Sequence, residues 1–158
     1  MPQADATSAP GLRRFPPLDL ARWAFVAAGM AIAIYLVYVH YQETALVCGI
    51  GDCETVQTSK YAEFAGIPIA WFGLALYLAM AGLLIARTRR LIETDVADVL
   101  LVGAAFAGTL GVAYLTYLEI WVIHAICQWC VAFAIMTVIL LVLSAIQLRA
   151  TFADDGER

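Results

Sequence analysis

Charge is what this sequence has least of. Charged residues fill 14% of its 158 positions, where roughly 25% is usual for a soluble domain. Nine are basic and 13 acidic, for a net charge of −4. That leaves no basic patch of the kind that binds nucleic acid. Cysteine is scarce too, and four residues are too few for a disulfide-stapled mini-protein. There is no internal repeat and no low-complexity tract. What is abundant is apolar: 63% of the chain is Ala, Val, Ile, Leu, Met, Phe, Trp, Tyr or Cys. A soluble globule has no means of hiding that much apolar surface, and a disordered chain needs far less of it, so both classes are excluded.

Four stretches lack Asp, Glu, Lys and Arg altogether: Trp23–Gln42, Phe64–Ala86, Val99–Leu118 and Ile120–Leu148. A helix needs about 20 apolar residues to cross a bilayer. The fourth stretch exceeds one crossing, and its helix is placed at Ile126–Leu148. The expected fold is an all-α membrane protein, a four-transmembrane-helix bundle over residues 20–149. Residues 1–19 read as a disordered cytoplasmic lead, with Pro16 and Pro17 keeping the first helix from starting early. Residues 150–158 read as a cytoplasmic tail. Residues 43–65 form the one substantial outer loop, with Glu54–Phe64 suited to a short interfacial helix. Gly66 and Pro68 restart helix two, and Glu119–Ile126 is a tight outer connection.

The basic residues orient the bundle. Arg13, Arg14 and Arg22 precede span one, Arg87, Arg89 and Arg90 follow span two, and Arg149 and Arg158 follow span four. Four spans put these segments on one side, and positive charge marks the cytoplasmic side. The other side carries only Lys60. Both termini are therefore expected in the cytoplasm of a multi-pass inner-membrane protein. The first apolar run exceeds the roughly 7–15 residues of a signal-peptide core, so it is read as a retained span. In span three, Gly103, Ala107 and Gly111, with Ala104 and Gly108, recur at four-residue spacing. That pattern lets helices approach closely in lipid, and it is read as packing.

All four cysteines then fall at the extracytoplasmic face. Cys48 and Cys53 lie in the outer loop as C-G-I-G-D-C, and Cys127 and Cys130 lie as C-Q-W-C where span four begins. Such a compartment permits disulfides, and two pairs on one face can pass electrons by thiol–disulfide exchange. Cys127 sits at a helix N-terminus, whose positive end favours a thiolate. Cys130 lies one turn deeper. Glycines around the loop pair leave it free to move. A scaffold with structural zinc or two fixed disulfides stays open as a non-enzymatic alternative, since both spacings occur at zinc sites.

The string C-E-T-V-Q-T-S-K-Y-A-E-F-A-G-I-P, followed by F-G-L-A-L-Y and later C-Q-W-C, resembles the vitamin K epoxide reductase family in its bacterial form. The landmarks are Cys48, Cys53, Val56, Ser59, Tyr61, Gly66, Pro68, Gly73, Tyr77, Cys127 and Cys130, over about residues 22–148. The resemblance implies a bundle around a quinone, ubiquinone or menaquinone, reduced by the C-x-x-C pair. It implies that Cys130 lies nearest the quinone, that Cys127 exchanges with Cys53, and that Cys48 faces the external thiol protein. Ser59 matches the family's loop serine beside the active site. The expected activity is that of a quinone-dependent thiol–disulfide oxidoreductase. Its electrons come from a separate extracytoplasmic thioredoxin-fold protein of the DsbA type, and it supports disulfide formation. The pair order differs from the DsbB type, where the C-x-x-C comes first.

Quinone or quinone-epoxide recycling is the other enzymatic alternative. The vertebrate enzymes' quinone-binding Asn and Tyr correspond here to Ile69 and Ala134, which weighs against it. Ile69, Trp71, Phe72, Trp129 and Cys130 are the expected quinone contacts, and no metal is expected. Glu119 and His124 are read as facing the polar interface in preference to relaying protons to the quinone. His40 is read the same way, and Tyr114 and Tyr117 receive no assigned ligand.

Overall fold

The computed structural model describes residues 16–42 and 47–156. Its four long helices are α1 (Pro16–Gln42), α3 (Ile69–Thr88), α4 (Thr94–Leu118) and α5 (Gln128–Gly156). A short α2 (Cys53–Gln57) and a two-stranded hairpin, β1 (Glu63–Phe64) with β2 (Ile67–Pro68), occupy the first loop. Each long helix contains a segment long and apolar enough to cross a membrane. The expected all-α, four-span bundle is therefore what the chain forms.

Most helix ends differ from the charge-free stretches that announce them. Pro16 and Pro17 stand in the first turn of α1, where proline is tolerated because the N–H groups there are unpaired in any case. Most of the expected lead, with Arg13 and Arg14, lies outside the described residues, as do Glu43 and Arg158. Helix α5 runs on through Arg149 to Gly156, so the expected tail is largely helical. Helix α3 starts at Ile69, directly after the Gly66 and Pro68 expected to restart it. Ala65 (φ 53°) and Gly66 (φ 79°) form a two-residue left-handed turn that pairs Glu63 with Pro68 and Phe64 with Ile67. Two positive φ values in a two-residue loop suit a type I′ hairpin. The expected interfacial helix over Glu54–Phe64 is only the single turn of α2.

Helix α1 packs on α3 and α5, and α4 packs on the same two helices, closing a four-membered ring. Val26, Tyr77, Met80, Leu84, Leu101, Ala105 and Leu140 form the buried centre. The Tyr77 hydroxyl is 3.1 Å from Thr137 Oγ1, so the one polar atom of that ring is satisfied. A Cβ on Gly29 would overlap the Tyr77 ring, and one on Gly108 would overlap Leu76. The small-residue pattern in α4 thus packs closely at Gly108. At Gly103 and Gly111 an added Cβ would meet nothing, which departs from the packing expected there.

The end of the bundle away from the cysteines is fastened by charge. Asp98, fully buried in α4, lies 3.3 Å from Arg22 of α1 and 2.9 Å from Nε of Arg87 of α3. Arg87 also reaches Asp19 at 3.1 Å, and Thr151 of α5 donates to Asp98 at 3.0 Å. One carboxylate thus ties all four helices together. Burial of these charges is tolerable only because they are paired. Arg22 and Arg87 are therefore internal ligands of a carboxylate, while Arg89, Arg90 and Arg149 are exposed.

Candidate functional site

At the other end, Cys53, Val56, Ala125 and Cys127 form a buried cluster, with Cys48, Ile123, Trp129 and Cys130 packed around it. All four cysteines meet here. Cys48 and Cys53 are joined as a disulfide, while Cys127 and Cys130 are free thiols. Asp52 caps α2 by accepting Thr55 N at 3.1 Å and the Thr55 hydroxyl at 2.6 Å. Those hydrogen bonds hold the Asp52 carboxyl below the usual carboxylate range. They also place Cys53 in the first turn, facing inward.

The loop is fastened to the helix that carries the C-x-x-C pair. Gly51 forms a bridge with Cys127, and Asp52 N donates to Ile126 O at 3.0 Å. Gly51 has φ 91°, and a Cβ there would collide with Ile126 O. Only glycine fits such a position. The two residues between the paired cysteines complete the clamp. Gln128 Oε1 accepts Gly49 N at 3.1 Å and Ile50 N at 3.0 Å, and its amide donates to Val47 O at 3.3 Å. The Trp129 indole donates to the same carbonyl at 3.1 Å and leans on Tyr35, with ring centroids 4.8 Å apart.

Cys127 occupies the position just before α5, where a side chain can accept the helix's first free N–H groups. Its thiol is pulled down to about 7, first by the hydrogen bond from the Cys130 thiol and then by the N–H groups of Cys130 and Trp129, against the opposing effect of burial. That shift favours the thiolate. The residue is nevertheless fully buried, so its approach is through the loop pair or through Cys130.

Cys130 opens on a cavity of about 340 Å³ between α3, α4 and the loop. That volume falls within the roughly 300–1,000 Å³ of small-molecule sites. Its walls are mostly apolar, with Ile69, Phe72 and Leu76 on one side and Gly108, Gly111 and Leu115 on the other. The open space beside Gly111 is this cavity. The small residues of α4 therefore do two jobs: Gly108 brings α3 close, and Gly111 makes room.

The family model of the vitamin K epoxide reductase family matches residues 20–145. The chain belongs to that family. Family membership brings a membrane redox function in disulfide and quinone chemistry, and it makes the protein an oxidoreductase. The match includes all four cysteines and reaches all four long helices, leaving out residues 16–19 of α1 and 146–156 of α5 with the chain ends.

For this family member, the expected site residues divide by position. Ser59, Ile69, Phe72 and Cys130 line the cavity. The Ser59 hydroxyl donates to Val56 O at 2.8 Å, so it holds the turn after α2 while facing the cavity. Trp71 lies outside the cavity, half-exposed, with its indole donating to the Tyr41 hydroxyl at 3.2 Å. Trp129 is also absent from the cavity wall, since its indole is engaged by the loop. His40 pairs with Glu63 at 3.3 Å. His124 takes a left-handed conformation, φ 57°, that reverses the chain after α4.

Glu119 is the correction. Expected at the polar interface, it is 4% exposed. Helix α4 loosens into a π turn over Glu119–Ile123, which turns Glu119 towards the start of α5. Its Oε2 accepts Cys127 N at 3.0 Å. It also lines the cavity. A charged letter directly after an apolar run reads as the end of a span. Nothing in the sequence signals a π turn, and the eight-residue reach from Glu119 to Cys127 follows from it.

Proposed function

We propose that the protein is a membrane thiol oxidase. Electrons enter from an extracytoplasmic thioredoxin-fold protein at Cys48–Cys53, pass to Cys127 and Cys130, and leave to a quinone of the respiratory type. The observation that carries this reading is the position of Cys130: one turn from Cys127, in the cluster that holds the loop disulfide, and open to an apolar cavity of small-molecule size. An apolar site with few polar groups suits a ring carrying two carbonyl oxygens, and Gln57, Ser59, Tyr61, Thr116 and Glu119 are the polar residues on its wall. When bound there, the quinone supplies a two-electron, two-proton acceptor.

The chain's own residues supply the rest. A partner thiolate attacks Cys48 and leaves Cys53 as a thiolate. Cys53 is buried against Cys127, so it attacks Cys127 when the helix pair is a disulfide, and Cys130 departs. The partner's second thiol resolves its mixed disulfide with Cys48, leaving with a disulfide of its own, and the freed Cys48 thiolate closes on Cys53, releasing Cys127. The loop pair is oxidised again and the helix pair reduced, which is the distribution of bonds seen here. The clamp formed by Gln128 keeps the exchange partners aligned. A loop disulfide also uses two thiols that a four-cysteine zinc site would need.

The test is turnover by the purified protein in lipid nanodiscs, with a short-chain quinone and either a small dithiol or a thioredoxin-fold protein as donor. Cys127→Ser and Cys130→Ser are expected to abolish quinone reduction with both donors. Cys48→Ser is expected to stop turnover with the protein donor and spare much of that with the dithiol. Equal loss with both donors would remove the shuttle role of the loop pair.

A further inference from the structure

Closing a disulfide between Cys127 and Cys130 releases two electrons and two protons, and a quinone takes up both of each. The electron path is accounted for by the thiols. The cavity around Cys130 holds one carboxylate among the described residues, Glu119. It is 96% buried, it is fixed to the C-x-x-C pair through the Cys127 N–H, and it shares the wall of the open volume with Cys130. A π turn places it there, and such turns gather at functional sites.

We propose that Glu119 carries the proton of this reaction: its carboxylate takes the Cys130 thiol proton as the disulfide closes and gives it up into the cavity. The inference rests on the quinone reading above. The balance is complete. Two electrons leave the two sulfurs as the S–S bond forms, and the quinone is reduced by both. Glu119 delivers the proton that Cys130 loses. The proton that Cys127 has already released to water is matched by one taken from water. Glu119 ends each cycle as it began. A cap for Cys127 N–H needs only an oxygen, and a glutamine provides one. Glu119→Gln therefore keeps the backbone contact and removes the proton carrier.

Two measurements decide it. The first uses quinone-free protein: infrared difference spectra between the reduced protein and protein oxidised by diamide. A carboxyl C=O band is expected on oxidation of the wild type, shifted in heavy water and absent from Glu119→Gln. Should that variant not fold, Glu119→Asp serves, because it keeps an acid and must move the band. The second is quinone reduction with a small dithiol. Glu119→Gln is expected to be slower by about 100-fold or more, the usual scale for a positioned acid or base, with its pH dependence flattened. Wild type without a carboxyl band overturns the proposal, as does Glu119→Gln turning over at the wild-type rate. Wild type that shows the band and reduces no quinone overturns the proposed function while leaving Glu119 a proton acceptor for Cys130.

Discussion

The side-chain oxygen of Gln128 accepts the backbone N–H of Ile50 at 3.0 Å, across 78 positions of sequence. The same atom accepts Gly49 N, so one glutamine inside the C-x-x-C holds the strand that carries Cys48. The glycines of this loop suggest mobility. The structure uses Gly51 for close approach to Ile126 instead, and the loop is docked. Gln128→Ala removes bonds worth roughly 0.5–1.5 kcal/mol each. Turnover with a thioredoxin-fold donor is expected to fall about tenfold, the equivalent of ~1.4 kcal/mol. Reduction of Cys48–Cys53 by a membrane-impermeant phosphine is expected to speed up. Unchanged rates in both assays would show that the clamp does not align the exchange.

The acidity of Cys127 depends first on the thiol one turn away. With Cys130 in place, the Cys127 thiol titrates at about 7, and its thiolate fraction rises as pH climbs through that value. Cys130→Ala removes the donor that contributes most. The midpoint for alkylation of Cys127 by a small reagent is then expected to move up, towards an ordinary thiol near 8.5. At pH 7 the reaction should slow accordingly. A midpoint that stays put would assign the effect to the N–H groups of α5 alone.

How far the sequence reveals this molecule differs between its two ends. The four spans are legible because lipid admits few charges, and the cysteine positions are legible because two pairs on one face have a chemistry. Neither Asp98 nor Glu119 is legible as a buried group. A scan for charge-free segments treats each as a boundary, because it has no knowledge of partners 76 positions away at Arg22 or eight away at Cys127. The same blindness hides where the Trp71 and Trp129 indoles go, both of them off the wall of the Cys130 cavity. Their bonding partners, Tyr41 and Val47, belong to other segments.

The ion cluster makes its own prediction. Asp98 faces Arg22 and Arg87, and all three are buried. Asp98→Ala leaves two buried cations short of their shared counter-charge, and breaking a buried pair costs about 3–5 kcal/mol. The thermal unfolding midpoint in detergent should drop by many degrees. Asp98→Ala with Arg22→Met and Arg87→Met should recover much of it. A midpoint unaffected by Asp98→Ala would mean that the arginines find water there.

Orientation in the membrane is the next. Arg89, Arg90 and Arg149 are exposed at the end opposite the cysteines, and exposed arginines mark the cytoplasmic side. Cys48 and Cys53, once reduced, are then expected to react with a membrane-impermeant maleimide in intact cells. Reaction only after the inner face is opened would invert the bundle and remove the exported substrates from the proposal.

The most direct test of the relay is to stop it between the pairs. Cys53 and Cys127 are both buried in one cluster, and Cys48 and Cys130 lie at its edges. That arrangement makes the inner two the exchanging atoms, with each outer cysteine as the group that resolves the bond. In Cys130→Ser protein, Cys127 attacks the loop disulfide at Cys53 and lacks its own resolving thiol, so only Cys48 can reverse the bond, and alkylating Cys48 traps it. Exchange needs an attacking thiolate close to the bond, and a serine hydroxyl supplies none. A disulfide between Cys53 and Cys127 is therefore expected to accumulate and to join the loop to α5, as mapped by mass spectrometry of non-reduced peptides. Cys48, freed by the attack, should become alkylatable in the same sample. Cys127 found free, or bonded to Cys48, would reverse the roles of the loop cysteines. The geometry argues against the second outcome, because Cys48 is only half-buried, with its sulfur 3.5 Å from Ile50 O, while Cys53 is buried at the start of α2.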